Sequence, residues 1–342
     1  MKTLVTGPDG LLGSNIVRTL LDAGHEVHAL VHPSSRSTTL DGLSVQIFQG
    51  DILDQNSIAA AIAGCDNVIH AAASTAMYPP RDPKITTINV DGTRNMLEAA
   101  EKQGVKRFVH IGSASSFGFG TMLQPGTEES SYKYKKYGLA YYDSKLTAQK
   151  LVLQHVKEEK IDAVVVNPTF MFGPFDSGPS SGRMLLKFKE IPFPVYPPGG
   201  RNFADARDVA AGAVAAIAKG RTGECYILGN RNMDMKDFFA LVADTVGEKA
   251  PNIPLPEWGM LFAGAVGTAI GRIDKNAKPE VTWEIALSGN TGSYYSAAKA
   301  IRELGLPQTP VEKALEDEWR WLSDNGYVAP RRKLIDMLRK GD

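Results

Sequence analysis

The chain lacks most of the features that mark specialised protein classes. It has only two cysteines among 342 residues, and Cys65 and Cys225 lack the spacing of metal ligands or of a disulfide framework. Lysine plus arginine and aspartate plus glutamate both number 38, so no net charge draws the chain to nucleic acid or to an anionic membrane. No apolar run reaches the ~18 residues that a membrane span needs. The first six residues, MKTLVT, read as a strand and not as a signal peptide. We therefore expect a cytoplasmic protein that binds neither metal nor nucleic acid.

A glycine-rich turn near the N-terminus is the most informative feature that is present. Gly7, Gly10 and Gly13 follow the apolar strand 1–6 directly, and helical spacing then runs from Ser14 to Ala23. A strand, a glycine turn and a helix can hold a dinucleotide pyrophosphate, because glycine lets the backbone approach the phosphates and the helix N-terminus offers free N–H groups. The sequence therefore predicts a dinucleotide site at this turn, which also contains Leu11 and Leu12.

Strands and helices alternate along the first half of the chain, which predicts an α/β fold with a doubly wound parallel sheet of the Rossmann type. Segment 168–200 is rich in Pro, Gly and Phe, and we expect it to form loops over a cleft. Residues 1–168 with about 202–230 are expected to form the dinucleotide-binding domain. About 169–201 with 231–342 are expected to form a smaller, mostly helical substrate lobe at the C-terminal end. The predicted strands are 1–6, 25–31, 45–49, 67–71, 107–111, 163–166 and 225–228, and the predicted helices include 57–63, 88–103, 141–159 and 205–218.

One apolar stretch, Trp258–Ile270, is too short to span a bilayer. The composition favours a buried or pocket-lining helix, whose glycines at 264, 267 and 271 would permit close packing. A membrane-surface or dimer contact is the alternative.

Two further segments carry possible chemistry. Tyr141 and Lys145 lie four residues apart on a predicted helix and therefore share a face. A phenol is a poor acid or base at its ordinary pKa of ~10, and a nearby ammonium group can lower that pKa. The segment 110–118, HIGSASSFG, leaves the predicted fifth strand at the sheet edge where ligands bind. A hydroxyl there can hydrogen-bond a substrate oxygen, although an ordinary serine-rich turn has the same composition.

The end of the second strand bears on the choice of cofactor. NAD-binding folds of this type carry Asp or Glu there to hold the ribose 2′-hydroxyl. This chain reads Val31-His32-Pro33-Ser34-Ser35-Arg36 and has no acid. Ser34, Ser35, Arg36 and His32 are candidates to hold the 2′-phosphate of NADP instead, so we expect NADP rather than NAD.

Taken in order, eight segments make the chain resemble the extended short-chain dehydrogenase/reductases of the NAD-dependent epimerase/dehydratase superfamily, and among them the dihydroflavonol 4-reductase-like group. The resemblance covers nearly the whole chain. The segments are TGPDGLLG (6–13), GDILD (50–54), VIHAAA (68–73), NVDGTRNMLEAA (89–100), HIGSASSFG (110–118), YYDSK (141–145), NPTFMFGP (167–174) and FADARDVA (203–210).

The resemblance implies roles for individual residues. Ser113 matches the serine that orients the substrate oxygen, Tyr141 the general acid/base, and Lys145 its activator and a ribose ligand. Asn89 is expected to anchor the region beside the nicotinamide. Further positions are expected to contact the cofactor, namely Asp51 and Ile52 at the adenine, Ala71, Ala72 and Ala73 along its track, and Pro168 and Thr169 at the carboxamide. Positions expected to face the substrate are Ser115, Phe170, Met171 and Phe172.

The chain departs from the family pattern at three positions. Asp9 places a carboxylate in the turn near the pyrophosphate, unless it points to solvent or caps the helix. Gly112 stands where a second serine or threonine is common, and His32 stands where NADP-preferring relatives often carry arginine.

These features predict an NADP-dependent reductase of an aldehyde or ketone that carries apolar bulk, with hydride transfer and with Tyr141 as the proton donor. The alternatives are an NAD-dependent sugar-nucleotide epimerase and a non-catalytic NADP-binding sensor or scaffold. A small-molecule carbonyl compound is the expected partner, and pairing of long helices into a homodimer is a family expectation.

Overall fold

A seven-stranded parallel sheet forms the centre of the computed structural model, which describes residues 1–35, 37–191, 193–274 and 276–328. The strand order is β10-β6-β5-β4-β1-β2-β3. The chain therefore adds β2 and β3 on one side of β1, and then crosses over and adds β4, β5 and β6 on the other side. The strands are β1 (Lys2–Thr6), β2 (Glu26–Val31), β3 (Val45–Gln49), β4 (Asn67–His70), β5 (Arg107–Ile111), β6 (Ala163–Pro168) and β10 (Cys225–Leu228). The predicted doubly wound Rossmann sheet is confirmed.

Helices cover both faces of this sheet. They are α1 (Leu11–Asp22), α2 (Gln55–Ile62), α3 (Pro83–Thr86), a π-helical segment (Thr87–Asp91) that leads into α4 (Gly92–Gln103), α5 (Ala140–Lys157) and α7 (Ala206–Lys219). Successive strand residues point to opposite faces. Val5 of β1 thus packs in one core with Ile16 of α1, whereas Leu4 packs in the other with Met96 of α4. This two-sided burial explains why the strands read as continuous apolar runs.

Helix α1 begins at Leu11, three residues earlier than predicted. Its N-cap is Gly10, which makes no side-chain hydrogen bond to the first turn. Helices α2, α3 and α7 have side-chain caps, as where Asp54 accepts from Asn56 N and Ser57 N at the start of α2. The uncapped start leaves the first turn of α1 open to a ligand.

Two small sheets and the remaining helices form the rest of the described chain. Strands β7 (Phe170–Phe172), β9 (Gly200–Asp205) and β11 (Arg231–Asp234) pair in the order β11-β9-β7, and β8 (Val195–Tyr196) pairs with β12 (Ile253–Pro254). Segment 168–200, expected as loops, therefore contains β7, β8 and α6. The helices are α6 (Gly182–Glu190), α8 (Met235–Val246), α9 (Glu257–Ile273), α10 (Trp283–Gly289), α11 (Ala298–Leu304) and α12 (Val311–Asp324).

Helix α9 corrects the expectation of a buried helix at 258–270. Only Gly264 of this helix is buried, whereas Trp258 is 73% and Phe262 67% exposed. The glycine face does pack closely as predicted, because a Cβ on Gly264 would lie 2.7 Å from the Thr282 carbonyl oxygen. No helix in the described part of the chain is long and apolar enough to cross a membrane.

Both cysteines are buried and free. Burial raises the pKa of Cys65 to about 11 and that of Cys225 to about 12, so both thiols are protonated at neutral pH.

Candidate cofactor and catalytic site

The carboxyl ends of four neighbouring strands bring the predicted site residues to one edge of the sheet. The glycine turn follows β1, residues 71–73 follow β4, and Ser113 follows β5. Pro168 is the last residue of β6, and Thr169 follows it. Parallel strands end at the same edge, and the order of this sheet reverses direction between β1 and β4. Such a switch point is where ligands of open α/β sheets bind.

The backbone of the turn fits a dinucleotide pyrophosphate. Gly7 has φ +63°, and a Cβ there would lie 2.9 Å from the backbone of Ala72. A Cβ on Gly13 would collide with the Gly7 carbonyl oxygen, so this position also requires glycine. Gly10 has open space, since its Cβ would meet no atom nearer than 3.7 Å. Leu11 and Leu12 follow it as buried residues of the first helical turn. The free space over Gly10 and the uncapped helix start together could hold a phosphate.

Asp9 takes neither of the two alternative orientations expected for it, as a helix cap or in solvent. It does not cap α1, and it is half-buried rather than turned fully to solvent. Its Oδ2 accepts a hydrogen bond from Ser35 Oγ in the loop after β2. The glycine turn is thereby tied to the segment in which the sequence predicts the 2′-phosphate site.

The rest of the predicted adenosine end is held by polar contacts. His32 Nδ1 lies 2.7 Å from Ser34 Oγ, and His32 Nε2 lies 3.5 Å from Asp51 Oδ2. Ile52 is buried in the core, and its carbonyl accepts from Asn95 Nδ2 at 3.0 Å. Arg36 lies outside the described residues.

Two buried side chains fix the segment after β4. Thr6 Oγ1 accepts from Ala72 N at 3.0 Å and shares a 2.8 Å hydrogen bond with His70 Nδ1. Asn89 accepts from Ser74 N at 2.7 Å and donates to Ser144 Oγ at 2.9 Å. Asn89 therefore clamps the segment that follows Ala71, Ala72 and Ala73 to the helix that carries Tyr141 and Lys145.

The three predicted catalytic residues form one group. Ser113 Oγ accepts from Ser115 N at 3.2 Å, lies 2.8 Å from Ser115 Oγ, and hydrogen-bonds the Tyr141 side chain. Lys145 is 5% exposed, and its Nζ donates to the Ile111 carbonyl at 2.9 Å. Ser115 is 8% exposed and its hydroxyl contacts that of Ser113, so it supports that hydroxyl.

The electrostatics of this group differ from the expectation that Lys145 lowers the pKa of Tyr141. Burial raises the pKa of Tyr141, and the hydrogen bond from Ser113 opposes that rise in part. Burial also lowers the pKa of Lys145, to about 8. At neutral pH the group therefore holds a protonated phenol and a buried ammonium.

Sequence reasoning missed Asn167, which positions Ser113. Its Nδ2 donates to the Ser113 carbonyl at 3.0 Å and to Gln149 Oε1 at 2.7 Å. A Cβ on Gly112 would lie 2.6 Å from the same Nδ2, so the small residue makes room for the amide. The available signal was a polar residue at the end of the apolar run AVVV.

The residues 170–172, expected to face the substrate, form strand β7 and belong largely to two cores. Phe172 is fully buried against Phe203 and Phe238, whose rings stack at 4.0 Å, so it does not face a cleft. Met171 packs against the core of the main sheet, and Phe170 is half-buried at the edge of the aromatic cluster.

The segment just before β7 is fixed by hydrogen bonds. Thr169 Oγ1 donates to Asn202 Oδ1 at 2.9 Å, and Pro168 is buried at the end of β6. Both residues thus lie at the sheet edge, beside the strand end that precedes Ser113.

Comparison with known proteins agrees with this geometry. Residues 3–229 match the model of the NAD dependent epimerase/dehydratase family. The chain belongs to this family. It is 34% identical to a Synechocystis protein named "Putative dihydroflavonol 4-reductase", over 95% of each chain.

Two further relatives are similar along most of their length. A 4-hydroxy-2-methyl-3-oxo-4-farnesyl-3,4-dihydroquinoline-1-oxide ketoreductase of Stigmatella aurantiaca is 29% identical, over 89% of this chain and 91% of that protein. The crystal structure of a nucleoside-diphosphate-sugar epimerase from Pseudomonas aeruginosa has TM-score 0.79 and 25% identity, and the match covers 96% of this chain and 99% of that one. The family member is thus an extended short-chain dehydrogenase/reductase, and its relatives include reductases and epimerases.

Proposed function

We propose that this family member is an NADP-dependent oxidoreductase that reduces an aldehyde or ketone with apolar bulk. The observation that carries the proposal is the group formed by Ser113, Tyr141 and Lys145 at the carboxyl edge of the sheet, beside a glycine turn that fits a pyrophosphate. A reduced nicotinamide bound along this edge would supply the hydride for the carbonyl carbon. The residues of the chain supply the proton and the alignment.

Tyr141 is suited to donate the proton. Because burial raises its pKa, the phenol carries its proton at neutral pH and can pass it to the oxygen of the reduced carbonyl. Ser113 Oγ already hydrogen-bonds this phenol, so a substrate oxygen held by Ser113 would lie close to the donor. Lys145 has three N–H donors, of which the Ile111 carbonyl takes one, and it keeps donors for a ribose hydroxyl.

The preference for NADP rests on the end of β2, which carries His32, Ser34 and Ser35 and no acid. We include Arg36 in this site from the sequence alone. The names of the similar reductases support a carbonyl substrate with apolar parts, since one acts on a farnesyl quinoline oxide. A cytoplasmic location and a homodimer through the long helices are parts of the same proposal.

The second candidate is an NAD-dependent sugar-nucleotide epimerase. It is supported by the fold match to the Pseudomonas aeruginosa enzyme. An epimerase needs the same Ser-Tyr-Lys group but keeps its cofactor through the cycle. Freshly purified protein that retains NAD would favour the epimerase, and protein free of nucleotide would favour the reductase.

Replacement of Tyr141 by phenylalanine tests the reductase. With NADPH and a panel of apolar aldehydes and ketones, Tyr141→Phe should lower turnover by at least ~10²-fold and leave the dissociation constant of NADPH nearly unchanged. Tyr132→Phe is the matched control, because its hydroxyl hydrogen-bonds only the surface residue Asp143 among the contacts described. A Tyr141→Phe protein that retains the wild-type rate would show that the proposed acid is wrong.

A further inference from the structure

Asp9 is held firmly at the adenosine end of the glycine turn. Its carboxylate accepts from Ser35 Oγ, and its backbone carbonyl accepts from Ser177 Oγ at 3.2 Å and from Thr39 Oγ1 at 3.3 Å. Two separate segments, the β2–β3 connection and the loop around Ser177, therefore contact one residue of the glycine turn. Within the described residues, no cationic nitrogen lies within 4.0 Å of this carboxylate, so its negative charge has no close counter-charge there.

The place that Asp9 reaches is the place where this fold chooses its cofactor. In doubly wound folds an acid at the end of the second strand receives the 2′-hydroxyl of NAD, and its absence admits the 2′-phosphate of NADP. Strand β2 ends at Val31 without an acid, but Ser35 lies four residues further in the same loop. Asp9 delivers a carboxylate to this loop from the opposite side, out of the glycine turn.

We propose that Asp9 is a specificity-determining residue, whose carboxylate accepts the ribose 2′-hydroxyl of NAD and opposes the 2′-phosphate of NADP. A phosphate monoester carries about −1.5 to −2 charges at neutral pH, so repulsion by a fixed carboxylate weakens NADP binding and leaves NAD binding intact. The effect offsets part of the NADP preference that His32 and the serines of the loop provide. The inference rests on the proposed use of a nicotinamide dinucleotide and concerns the choice between two cofactors, not the reaction.

The test measures binding and does not depend on turnover. Dissociation constants of NADPH and NADH are determined by fluorescence titration of the full chain and of Asp9→Asn. We expect Asp9→Asn to tighten NADPH binding by ~10-fold or more and to change NADH binding by less than ~3-fold. The gain for NADPH should shrink at high salt, because screening weakens the repulsion in the wild type.

Two further variants keep the result interpretable. Asp41→Asn removes the same charge from an exposed position in the following segment, and it should leave both affinities unchanged. Asp9→Ser removes the same carboxylate and keeps a hydroxyl that can hydrogen-bond Ser35. It should show the same shift toward NADPH, and it replaces Asp9→Asn in the test if that variant folds poorly.

The inference would be overturned if Asp9→Asn had the same ratio of NADPH to NADH affinity as the wild type. This includes the outcome in which both affinities change by the same factor. Failure of the proposed reductase mechanism can be distinguished from failure of this inference. In that case Tyr141→Phe retains wild-type turnover, while Asp9→Asn still shifts the ratio of NADPH to NADH affinity. If neither nucleotide binds the wild type, the proposed function and the inference both fall.

Discussion

Replacement of Lys145 by methionine should stabilise the fold at neutral pH while it removes a residue of the proposed catalytic group. The ammonium is almost fully buried on α5, and Nζ donates one hydrogen bond, to the Ile111 carbonyl. A charged group in such a place costs free energy, because the hydrogen bond replaces only part of its hydration. Methionine has a similar length and carries no charge to desolvate.

The size of the effect follows from the pKa of Lys145. Burial lowers it from 10.5 to about 8, and each pH unit corresponds to about 1.4 kcal/mol, so the charged form costs about 3 kcal/mol at pH 7. Methionine leaves the Ile111 carbonyl without its donor, which costs about 1–2 kcal/mol. We therefore expect Lys145→Met to raise the free energy of unfolding by about 1–2 kcal/mol at pH 7.

The sign of the pH dependence provides a sharper check. The folded protein releases the Lys145 proton near pH 8, whereas the unfolded chain keeps it up to the ordinary pKa of 10.5. The destabilisation by this lysine is therefore complete below pH 8 and is relieved between the two values. The advantage of Lys145→Met over the wild type should shrink by about 2 kcal/mol between pH 7 and about pH 9.5.

Urea unfolding of both proteins at the two pH values measures this difference, because contributions of all other groups cancel in the comparison. Lys150→Met, on the exposed face of the same helix, is the control and should show a small difference that does not vary with pH. A Lys145→Met protein less stable than the wild type at pH 7, or a difference that stays constant with pH, would refute the reasoning.

Further expectations concern the neighbours of this lysine. Turnover of the wild type should fall as the pH rises through about 8, because Lys145 loses its positive charge there; a rate that is flat to pH 10 would contradict a role for the ammonium. Ser113→Ala should lower turnover by ~10-fold to 10³-fold in steady-state assays, and Ser115→Ala by less, because Ser115 acts through Ser113. The reverse order would exchange their roles. Gly112→Ser should lower thermal stability by about 1–3 kcal/mol, because its Cβ would displace the Asn167 amide from the Ser113 carbonyl, and an unchanged melting temperature would show that the amide has room to move.

Local patterns predicted the sheet domain well, because its signals lie within short segments. The strand, the glycine turn and the helix over residues 1–22 follow each other directly, so spacing alone placed this strand–turn–helix unit. The start of α1 was missed by three residues because a glycine N-cap gives no polar signal. Strand β7 was missed because three residues are too few for a pattern, and its pairing partner β9 lies about thirty residues away.

Tertiary contacts explain the other failures. The spacing of Tyr141 and Lys145 correctly placed both side chains on one helix, but it could not show that Nζ bonds a carbonyl of β5 and that burial governs both pKa values. The apolar composition of 258–270 indicated a helix but not which of its faces the chain covers, since the covering residues, such as Thr282 and Ala286, lie on another helix and its cap.

The packing of α9 divides that helix into a fixed face and a free face. A Cβ on Gly267 would collide with the Val281 carbonyl oxygen, and one on Gly264 would lie too close to the Thr282 carbonyl oxygen. The helix therefore cannot rotate or move away from this backbone without losing these contacts. Trp258 and Phe262 on the same helix are mostly exposed. Substitutions at the exposed positions of this helix can therefore make this side of the protein more polar or more apolar, while the sheet edge that holds the proposed catalytic group keeps its geometry.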